Sequence, residues 1–539
     1  MNHAACYRAI QARDVRFDGR FYTAVRTTGI YCRPVCPART PLARNVEFYP
    51  SAAAAQAAGF RPCLRCRPER APSAAEVGGR PALLQRALAL IDRGWLDEGS
   101  VTGLASHLDI SERQLRRLFD SELGAAPVQM AQSRRLLLAK QLIQDSHLPI
   151  TDIAYAAGFG SLRRFNEVFL QAHGVAPSAW RRSLPAEREP DSATGLPLRL
   201  YFRPPLDWSR LLDFFRARAI TGLEHDDGRT LWRVLDLDGA SATVAIRPGG
   251  DDHLRVQARL SSLTALPRLL ARLRQVFDLG ADCQTIGAAL ATDPDLPGLH
   301  FRGTPLAPRV PGGWGGFELT TRALLGQQVS ITAARRLVQL LFDRLGEPLS
   351  ADLLDGWPAT IQAHLRARFP SAERVAEADL SFLPMPGARQ RALQSLAVAV
   401  ASDPMLLQPA GSLQASLDKL LAIPGIGPWT AQYIALRELR ETDAFPASDA
   451  GLLRSWAQIN GQRPTPKALS ERAEVWRPWR AYAVQQLWNL DAPKARQCGD
   501  RSVLNNDPMD FPQGQARGGV ATRGRQRATP HERKERGNR

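Results

Sequence analysis

Residues 419–453 read KLLAIPGIGPWTAQYIALRELRETDAFPASDAGLL, and this stretch decides the fold of the second half of the chain. The leucines before Pro424 form an apolar stripe that stops there, since a helix rarely includes the residue before a proline. Gly425 and Gly427 permit a sharp turn with positive φ, and Pro428 suits the first position of a new helix. The stretch therefore predicts two helices joined by a tight turn.

The second helix of this pair has an aromatic face, because Trp429, Tyr433 and Leu436 recur at i, i+4 and i+7. Main-chain amides converge at the positive end of the helix, where they suit a DNA phosphate and read no base. These amides belong to Gly425, Gly427, Trp429 and Thr430.

The hairpin and the FPASD loop behind it resemble the helix-hairpin-helix of DNA glycosylases, in which this loop carries the catalytic aspartate. The resemblance places that aspartate at Asp449. Asp449 also immediately precedes a helical pattern, and from sequence chemistry alone an ordinary helix cap is the better interpretation. The hairpin upstream favours the catalytic role.

Length and composition indicate several domains and a polyanionic partner. A chain of 539 residues is too long for one core, so we expect three to five domains. It has no apolar run long enough to span a bilayer and no secretory pattern at its start, which predicts a soluble, cytoplasmic protein. The net charge of +17 favours a polyanionic partner. The resemblance to DNA glycosylases implies that this partner is double-stranded DNA. Most of the basic residues are arginines, and this bias is also compatible with codon composition instead of a binding function.

Four of the seven cysteines are clustered, which argues for a metal in a reducing compartment rather than for disulfides. Cys32, Cys36, Cys63 and Cys66 occur as C-x3-C and C-x2-C with 26 residues between the pairs. Such spacing is typical of a tetrahedral zinc site made of thiolates. Spacing alone leaves open whether the zinc is purely structural.

The segments AVRTTGIYCRPVCPART and NVEFYPSAAAAQAAGFRPCLRCRPE resemble the amino-terminal domain of the Ada adaptive-response family. The resemblance implies that one zinc thiolate takes a methyl group irreversibly from a DNA methylphosphotriester. By motif position the methyl acceptor is Cys32, and the other three cysteines complete the zinc site. A zinc-thiolate centre is nucleophilic at neutral pH without a general base. Nearby arginines would hold the flanking phosphates: Arg33, Arg39, Arg61, Arg65 and Arg67.

Two similar units follow, VTGLASHLDISERQLRRLFDSELG and ITDIAYAAGFGSLRRFNEVFLQAHG, separated by a predicted helix over residues 128–144. Ser111 and Ser161 are suited to cap the second helix of each unit. The pair resembles the AraC-type DNA-binding domain, which implies that each second helix enters a major groove. Arginines on a helix are more often a solvated face. The candidates for base reading are Arg113, Gln114, Arg116, Arg117, Arg163 and Arg164.

Alternating apolar and polar stretches between residues 197 and 260 predict strands, and helical patterns cover 208–219 and 266–279. This α+β layer resembles the small amino-terminal domain of AlkA-type 3-methyladenine glycosylases. No chemistry is predicted in it, and Cys283 reads as a buried small hydrophobe.

From about residue 314 the sequence becomes helical and resembles the AlkA-type glycosylase bundle. The phrase RALLGQQVS places Gln328 where that family inserts a side chain into the gap left by a flipped nucleotide. An amide departs from the leucine of some relatives, and a solvent-exposed glutamine is an equally good interpretation. By position, Trp488 in the predicted helical run WRPWRAYAVQQLW faces Asp449, and Trp429 and Tyr433 line the same cleft.

The resemblance implies a mechanism for base excision. Aromatic faces attract the positive charge of an alkylated purine, and the base must leave the stack before its glycosidic bond is accessible. Asp449 would then stabilise the cationic sugar or orient water towards it.

Trp429 occupies the position where backbone-cutting relatives have a Schiff-base lysine, and Lys419 lies on the wrong helix. We therefore expect a monofunctional glycosylase. Hairpins of this kind also suggest a monovalent cation, held by the main chain of Leu421, Ile423 and Ile426.

The predicted architecture is a multidomain α and α+β protein. Its regions are a zinc domain (1–75), a double helix-turn-helix domain (80–185), an α+β domain (197–300), an all-α bundle (301–495) and a basic tail (496–539) that contains Cys498. The stretches 71–81 and 185–195 read as linkers, and the tail reads as disordered.

The sequence thus predicts a monomeric alkylation-damage protein that senses methyl groups, activates transcription through RNA polymerase and excises bases. The Pro-Cys-His-Arg phrase of a second methyltransferase site is absent from it, so repair of O6-methylguanine is not expected. Two alternatives are a transcription activator whose glycosylase half only binds DNA, and a glycosylase whose zinc domain is merely structural.

Overall fold

The computed structural model describes residues 2–76, 80–184, 195–298, 300–301 and 303–491. Three predicted features fall wholly or partly outside these residues: the linker stretches, for residues 77–79 and 185–194, and the basic tail with Cys498. Within the described residues, no helix combines the length and apolar character needed to cross a membrane.

The first region is a small sheet flanked by two helices. Its sheet has the order β3-β1-β2-β4, in which only the β2–β4 pair is parallel. Tyr22, Tyr31 and the alanines of α2 form its core. The elements are α1 (His3–Ala12), β1 (Tyr22–Val25), β2 (Ile30–Cys32), β3 (Val46–Tyr49), α2 (Ala52–Ala57) and β4 (Arg61–Pro62).

The second region consists of eight helices, with a long central helix between two helix-turn-helix units. Ser111 caps α6 and Ser161 caps α9, as predicted, and both helices end at a glycine with positive φ. The elements are α3 (Ala82–Asp92), α4 (Trp95–Glu98), α5 (Val101–His107), α6 (Glu112–Leu123), α7 (Pro127–Asp145), α8 (Ile150–Ala156), α9 (Leu162–His173) and α10 (Pro177–Arg182). The central helix α7 corresponds to the predicted helix over 128–144.

The third region is an antiparallel sheet in the order β5-β9-β8-β7-β6, with helices beside it. Both predicted helices are shorter than expected, because they end at Arg216 and Val276. The elements are β5 (Leu196–Tyr201), α11 (Trp208–Arg216), β6 (Glu224–Asp226), β7 (Leu231–Asp236), β8 (Ser241–Pro248), β9 (His253–Leu260), α12 (Leu266–Val276), α13 (Cys283–Leu290), β10 (His300–Phe301) and β11 (Thr304–Pro305). Cys283 is buried, as expected.

The fourth region is a helical bundle interrupted by one short pair of strands, so the prediction of helix alone was wrong there. The aromatic run near its end is not one helix either, because Trp476 closes a 3-10 turn and the last helix begins at Arg480. The elements are α14 (Gly316–Leu325), α15 (Ile331–Leu345), β12 (Glu347–Pro348), α16 (Ala359–Gln362), β13 (Ala367–Arg368), α17 (Ala372–Glu377), α18 (Gly387–Ser402), α19 (Leu413–Leu421), α20 (Pro428–Arg437), α21 (Ala450–Asn460), α22 (Pro466–Arg472) and α23 (Arg480–Asp491).

Buried ion pairs join neighbouring regions. Lys140 of α7 is fully buried, and its Nζ lies 2.6 Å from Glu69 Oε2 of the first region. Arg86 of α3 forms a bidentate pair with Glu441 of the bundle, at 2.8 and 2.7 Å. Arg233 of β7 pairs with the bundle carboxylate of Glu318. Because removing one partner of such a pair leaves an uncompensated buried charge, these contacts tie the regions together.

Candidate functional site

Four sulfurs meet where the first region's sheet ends. The parallel pairing of β2 with β4 sets Tyr31 opposite Pro62, which brings the following residues, Cys32 and Cys63, side by side. The loops behind these strands add Cys36 and Cys66, and the four Sγ atoms all lie within 4.8 Å of one another. A tetrahedral zinc-thiolate centre separates its sulfurs by about 3.8 Å, given Zn–S bonds of about 2.3 Å. The cluster therefore fits zinc.

The chemistry of these sulfurs also suits a divalent cation. Hydrogen bonding, chiefly with Cys36, raises the pKa of Cys32, and hydrogen bonding, chiefly with Cys32, lowers the pKa of Cys63. When no cation is bound, sulfurs this close share protons with one another. A bound cation replaces those protons and allows all four sulfurs to be thiolates.

The arginines around the cluster divide into two groups. Arg33 donates to Asp18, with Nε 2.9 Å from Oδ1, and Arg67 pairs with Glu69 at 3.1 Å. These two are therefore used within the fold, and the expectation that they hold phosphate is not supported. The other three, Arg39, Arg61 and Arg65, are exposed and form no ion pair within the described residues.

Both predicted recognition helices present their candidate base readers to solvent. The side chains of Arg113, Gln114, Arg116, Arg117, Arg163 and Arg164 are all exposed. Gln114 also completes the cap of α6, since its Oε1 accepts from Ser111 N at 2.9 Å. Arg116 pairs with Glu112 on the same helix at 2.6 Å. Exposed pairs of this kind are weak, so they do not prevent contact with DNA.

The bundle contains an aromatic cleft around the carboxylate of Asp449. Asp449 Oδ2 accepts from Trp429 Nε1 and Oδ1 accepts from Trp488 Nε1, each at 2.9 Å. Oδ1 also accepts from Leu452 N at 3.0 Å, so the side chain caps α21 at the same time. Tyr433 stacks on Trp429 with ring centroids 5.3 Å apart and lies 6.0 Å from the ring of Trp488. Three N–H donors therefore hold the carboxylate in one orientation beside three half-buried aromatic rings.

The hairpin turn and the predicted insertion loop form one surface. Gln327 Nε2 donates to Gly425 O at 3.1 Å and to Thr430 Oγ1 at 2.9 Å. Next to it, Gln328 is exposed and has a φ of +58°. Its side chain is thus presented outward by a backbone conformation that is uncommon for a residue with a Cβ.

The turn confirms one glycine prediction and corrects another. Gly425 has a φ of +89°, as expected, and a Cβ there would lie 2.2 Å from Ala392 Cβ. Gly427 has a φ of −91°, so the prediction of positive φ was wrong for it. Within the described residues, no side chain caps α20, and its first turn contains two of the amides assigned to phosphate, those of Trp429 and Thr430.

Comparisons with known proteins divide the chain as the regions do. Residues 5–69 match the metal-binding domain of Ada, residues 104–183 match a helix-turn-helix domain, and residues 197–315 match the AlkA N-terminal domain. A probable bifunctional transcriptional activator/DNA repair enzyme AlkA of Mycobacterium tuberculosis is 40% identical over 485 residues, which are 90% of this chain and 95% of the relative. The chain belongs to this family of bifunctional activator/repair enzymes.

Two further relatives each resemble one half of this family member. DNA-3-methyladenine glycosylase 2 of Escherichia coli is 32% identical over 296 residues, which are 54% of this chain and 95% of the relative. The bifunctional transcriptional activator/DNA repair enzyme Ada of the same organism is 38% identical over 152 residues, which are 28% of this chain and 41% of the relative.

Three residues near the cleft were not predicted from the sequence: Arg437, Phe214 and Arg218. Arg437, the last residue of α20, lies with Cζ 4.7 Å from the ring of Trp488 and 4.7 Å from the ring of Phe214. Burial lowers its pKa to about 10. Arg218 also packs on Phe214, with Cζ 4.0 Å from the ring centroid, so the α+β region reaches the edge of the cleft.

The sequence contained a signal for one of these three residues, Arg437. Arg437 follows Tyr433 by four residues and thus continues the face of Trp429, whereas Leu436, which was assigned to that face, is a core residue at 1% exposure. Phe214 and Arg218 carry no motif, and only folding brings them to the cleft.

Proposed function

We propose that this chain excises 3-methyladenine and related alkylated bases from DNA by hydrolysis, takes a methyl group from DNA methylphosphotriesters onto Cys32, and then activates transcription. The observation that carries the excision activity is the carboxylate of Asp449, held by two indole N–H groups inside an aromatic cleft. A platform that only binds DNA needs no oriented carboxylate among stacked aromatic rings.

For excision, the flipped base enters beside Trp429, Tyr433 and Trp488, whose faces attract the positive charge of an alkylated purine. As the glycosidic bond breaks, positive charge grows on the sugar and Asp449 stabilises it or orients the attacking water. Gln328 fills the space left in the stack. The amides of Gly425, Gly427 and Thr430 hold a DNA phosphate, and the main chain of Leu421, Ile423 and Ile426 would hold a monovalent cation.

For methyl transfer, Cys32 is the acceptor and Cys36, Cys63 and Cys66 complete the sulfur cluster. Zinc held by these four residues would keep their sulfurs anionic, and therefore nucleophilic, at neutral pH. The exposed Arg39, Arg61 and Arg65 are placed to hold the phosphates on either side of the triester. The double helix-turn-helix region then reads promoter DNA through its exposed arginines and Gln114.

The same resemblances support proposals on oligomeric state, location, partner and strand cleavage. We infer a monomer of the bacterial cytoplasm, associated with the nucleoid, that acts on RNA polymerase from its promoter site. Strand cleavage is not expected, because Trp429 stands where a Schiff-base lysine would and Lys419 lies on α19. Domain bounds are taken as 1–75, 80–185, 197–300 and 301–495, with a tail over 496–539.

One experiment tests both activities. The full chain is incubated with DNA methylated by a simple methylating agent, and free bases, DNA ends and protein-bound methyl are measured. We expect released 3-methyladenine, uncut abasic DNA, no adduct trapped by borohydride, and one methyl per protein. Cys32→Ala should lose the protein-bound methyl and retain base release. Release of no base by the wild-type chain would leave the alternative of a DNA-binding activator, and a trapped adduct would contradict hydrolysis.

A further inference from the structure

A cavity of about 670 Å³ lies beside the sulfur cluster, between the first region and the second helix-turn-helix unit. Cys32, Cys36 and Cys63 line it from one side, and His173 of α9 and Trp180 of α10 line it from the other. This volume is within the range typical of ligand-binding sites in proteins. The predicted methyl acceptor therefore faces a cavity that the zinc region does not form alone.

Three residues that line the cavity each contain a neutral polar atom that is buried without a partner. Thr23 Oγ1, His173 Nε2 and Trp180 Nε1 accept or donate no hydrogen bond within the described part of the chain. Their residues are only 3%, 5% and 8% exposed. An unsatisfied buried polar group costs about 1–3 kcal/mol, so three beside one cavity are unusual unless a ligand satisfies them.

Their positions are held by the fold. Thr23 pairs with Cys32 across the β1–β2 ladder, so its hydroxyl is tied to the acceptor strand. The imidazole of His173 packs on Phe169 and Trp180, with ring centroids 4.2 and 4.9 Å apart. The end of α9 lies against Arg61, since a Cβ on Gly174 would be 3.5 Å from Arg61 Nη1.

We propose that the last two helices of the second region, α9 and α10, complete the methyl-acceptor site, with Trp180 and His173 positioning the DNA phosphotriester against Cys32. This inference rests on the proposed methyl transfer and names its substrate subsite. A phosphotriester is uncharged and its phosphoryl oxygen accepts hydrogen bonds, so an indole N–H and a hydroxyl suit it without the desolvation of an ion. An ordinary phosphodiester is an anion and is recognised better by guanidinium groups.

The charge that forms during transfer fits the rest of the cavity. The sulfur of Cys32 forms a bond to the methyl carbon while the carbon–oxygen bond breaks, and the electron pair of that bond stays on the phosphate oxygen. The neutral triester thereby becomes an anionic diester. The guanidinium groups of Arg39, Arg61 and Arg65 line the same cavity and would stabilise this anion as it develops.

The test uses the full chain and a dinucleotide methylphosphotriester, which is too short to occupy the cavity and also contact the exposed base-reading side chains of α6 and α9. Trp180→Phe retains an aromatic ring and loses the N–H group. We expect it to slow methylation of Cys32 about tenfold, as the loss of one well-placed hydrogen bond of about 1.4 kcal/mol implies. Zinc content and release of 3-methyladenine should stay unchanged, since neither depends on this indole.

Trp95→Phe is the matched control. Its indole Nε1 is also buried without a partner in the described structure, and it lies in α4, outside the residues that line the cavity. Wild-type rates for both tryptophan variants, or equal slowing of both, would overturn the inference. If Trp180→Phe does not fold, His173→Phe tests the same side of the cavity, because it retains an aromatic ring and loses Nε2, and a wild-type rate again contradicts the proposal. Absence of methyl transfer in the wild-type chain would instead contradict the proposed function.

Discussion

Asp449 combines two roles in one side chain. One of its oxygens caps α21, and the two together accept from the indoles of Trp429 and Trp488. A cap alone requires only a hydrogen-bond acceptor near the helix start, whereas charge stabilisation requires a negative side chain in a defined orientation. Substitution by asparagine separates the two roles, because asparagine is as good a cap as aspartate and carries no charge.

We expect Asp449→Asn to lower the rate of 3-methyladenine release by about 10²–10³-fold, with DNA affinity nearly unchanged. The rate is measured in single turnover and the affinity by fluorescence anisotropy. Asp207→Asn is the control, because Asp207 caps α11 in the same way through Arg210 N and lies outside the cleft. Near wild-type release by Asp449→Asn would show that Asp449 is only a cap.

Among the elements, the hairpin between α19 and α20 depends on one glycine more than on the other. Gly425 combines a φ of +89° with close contact to α18, where a Cβ would lie 2.2 Å from Ala392 Cβ. Gly427 has ordinary backbone angles, and a Cβ there would meet no atom within 4 Å in the described structure. The sequence pattern does not distinguish the two glycines, whereas the packing against α18 leaves room for a Cβ only at Gly427.

Gly425→Ala should therefore lower the midpoint of thermal unfolding and weaken binding to abasic DNA, since both strain and a clash distort the turn. Strain at positive φ alone is on the order of 1–3 kcal/mol. Gly427→Ala is the matched control and should unfold at the wild-type temperature. Equal midpoints for the two variants would mean that the turn adjusts without cost.

For the whole molecule, the regions meet around a cavity that contains a carboxyl group with a shifted pKa. Asp92, at the end of α3, lines a cavity of about 660 Å³ together with Glu76, Arg134 and Arg274. Burial raises its pKa to about 6, although the hydroxyl of Ser73 donates to it. Because the pKa of Asp92 is raised in the folded state, its contribution to the free energy of unfolding is fully present below pH 3.8 and is lost as the pH rises through 6.

Asp92→Asn should therefore raise the thermal midpoint at pH 8 relative to the wild type, and the difference should shrink towards pH 5. The upper limit at high pH is about 3 kcal/mol, from two units of pKa. Asp120→Asn, an exposed position on α6, should show no such pH dependence. A gap that stays constant between pH 5 and 8 would contradict a buried titration at the junction.

Methylation of Cys32 should also act on the whole molecule, through charge. Four thiolates with zinc carry a formal charge of −2, and methylation of one sulfur leaves −1, so the surface that approaches DNA becomes less repulsive. For unit charges near a surface the difference is on the order of a few kcal/mol before screening. We expect the methylated chain to bind its promoter more tightly, with a gain that shrinks as salt rises. Equal affinity before and after methylation at low salt would rule out the switch.

Features encoded by short spacing were predictable from the sequence. The hairpin and the serine caps of α6 and α9 depend on residues a few positions apart, whose geometry is fixed by turn and helix periods. The sulfur cluster was predictable because each of its two cysteine pairs has the short spacing typical of a zinc site. The resemblance to known families then placed Asp449 against Trp488, which lie 39 residues apart and which the structure joins by a hydrogen bond.

What spacing does not encode was decided by tertiary structure. Whether Arg33 faces DNA or pairs with Asp18, and whether Gly427 needs a positive φ, depends on neighbours that packing supplies. Phe214 reaches the cleft from another region, and Trp180 reaches the sulfur cluster from another region. Burial of apolar surface drives such contacts without regard to sequence distance, so local periodicity carries no record of them.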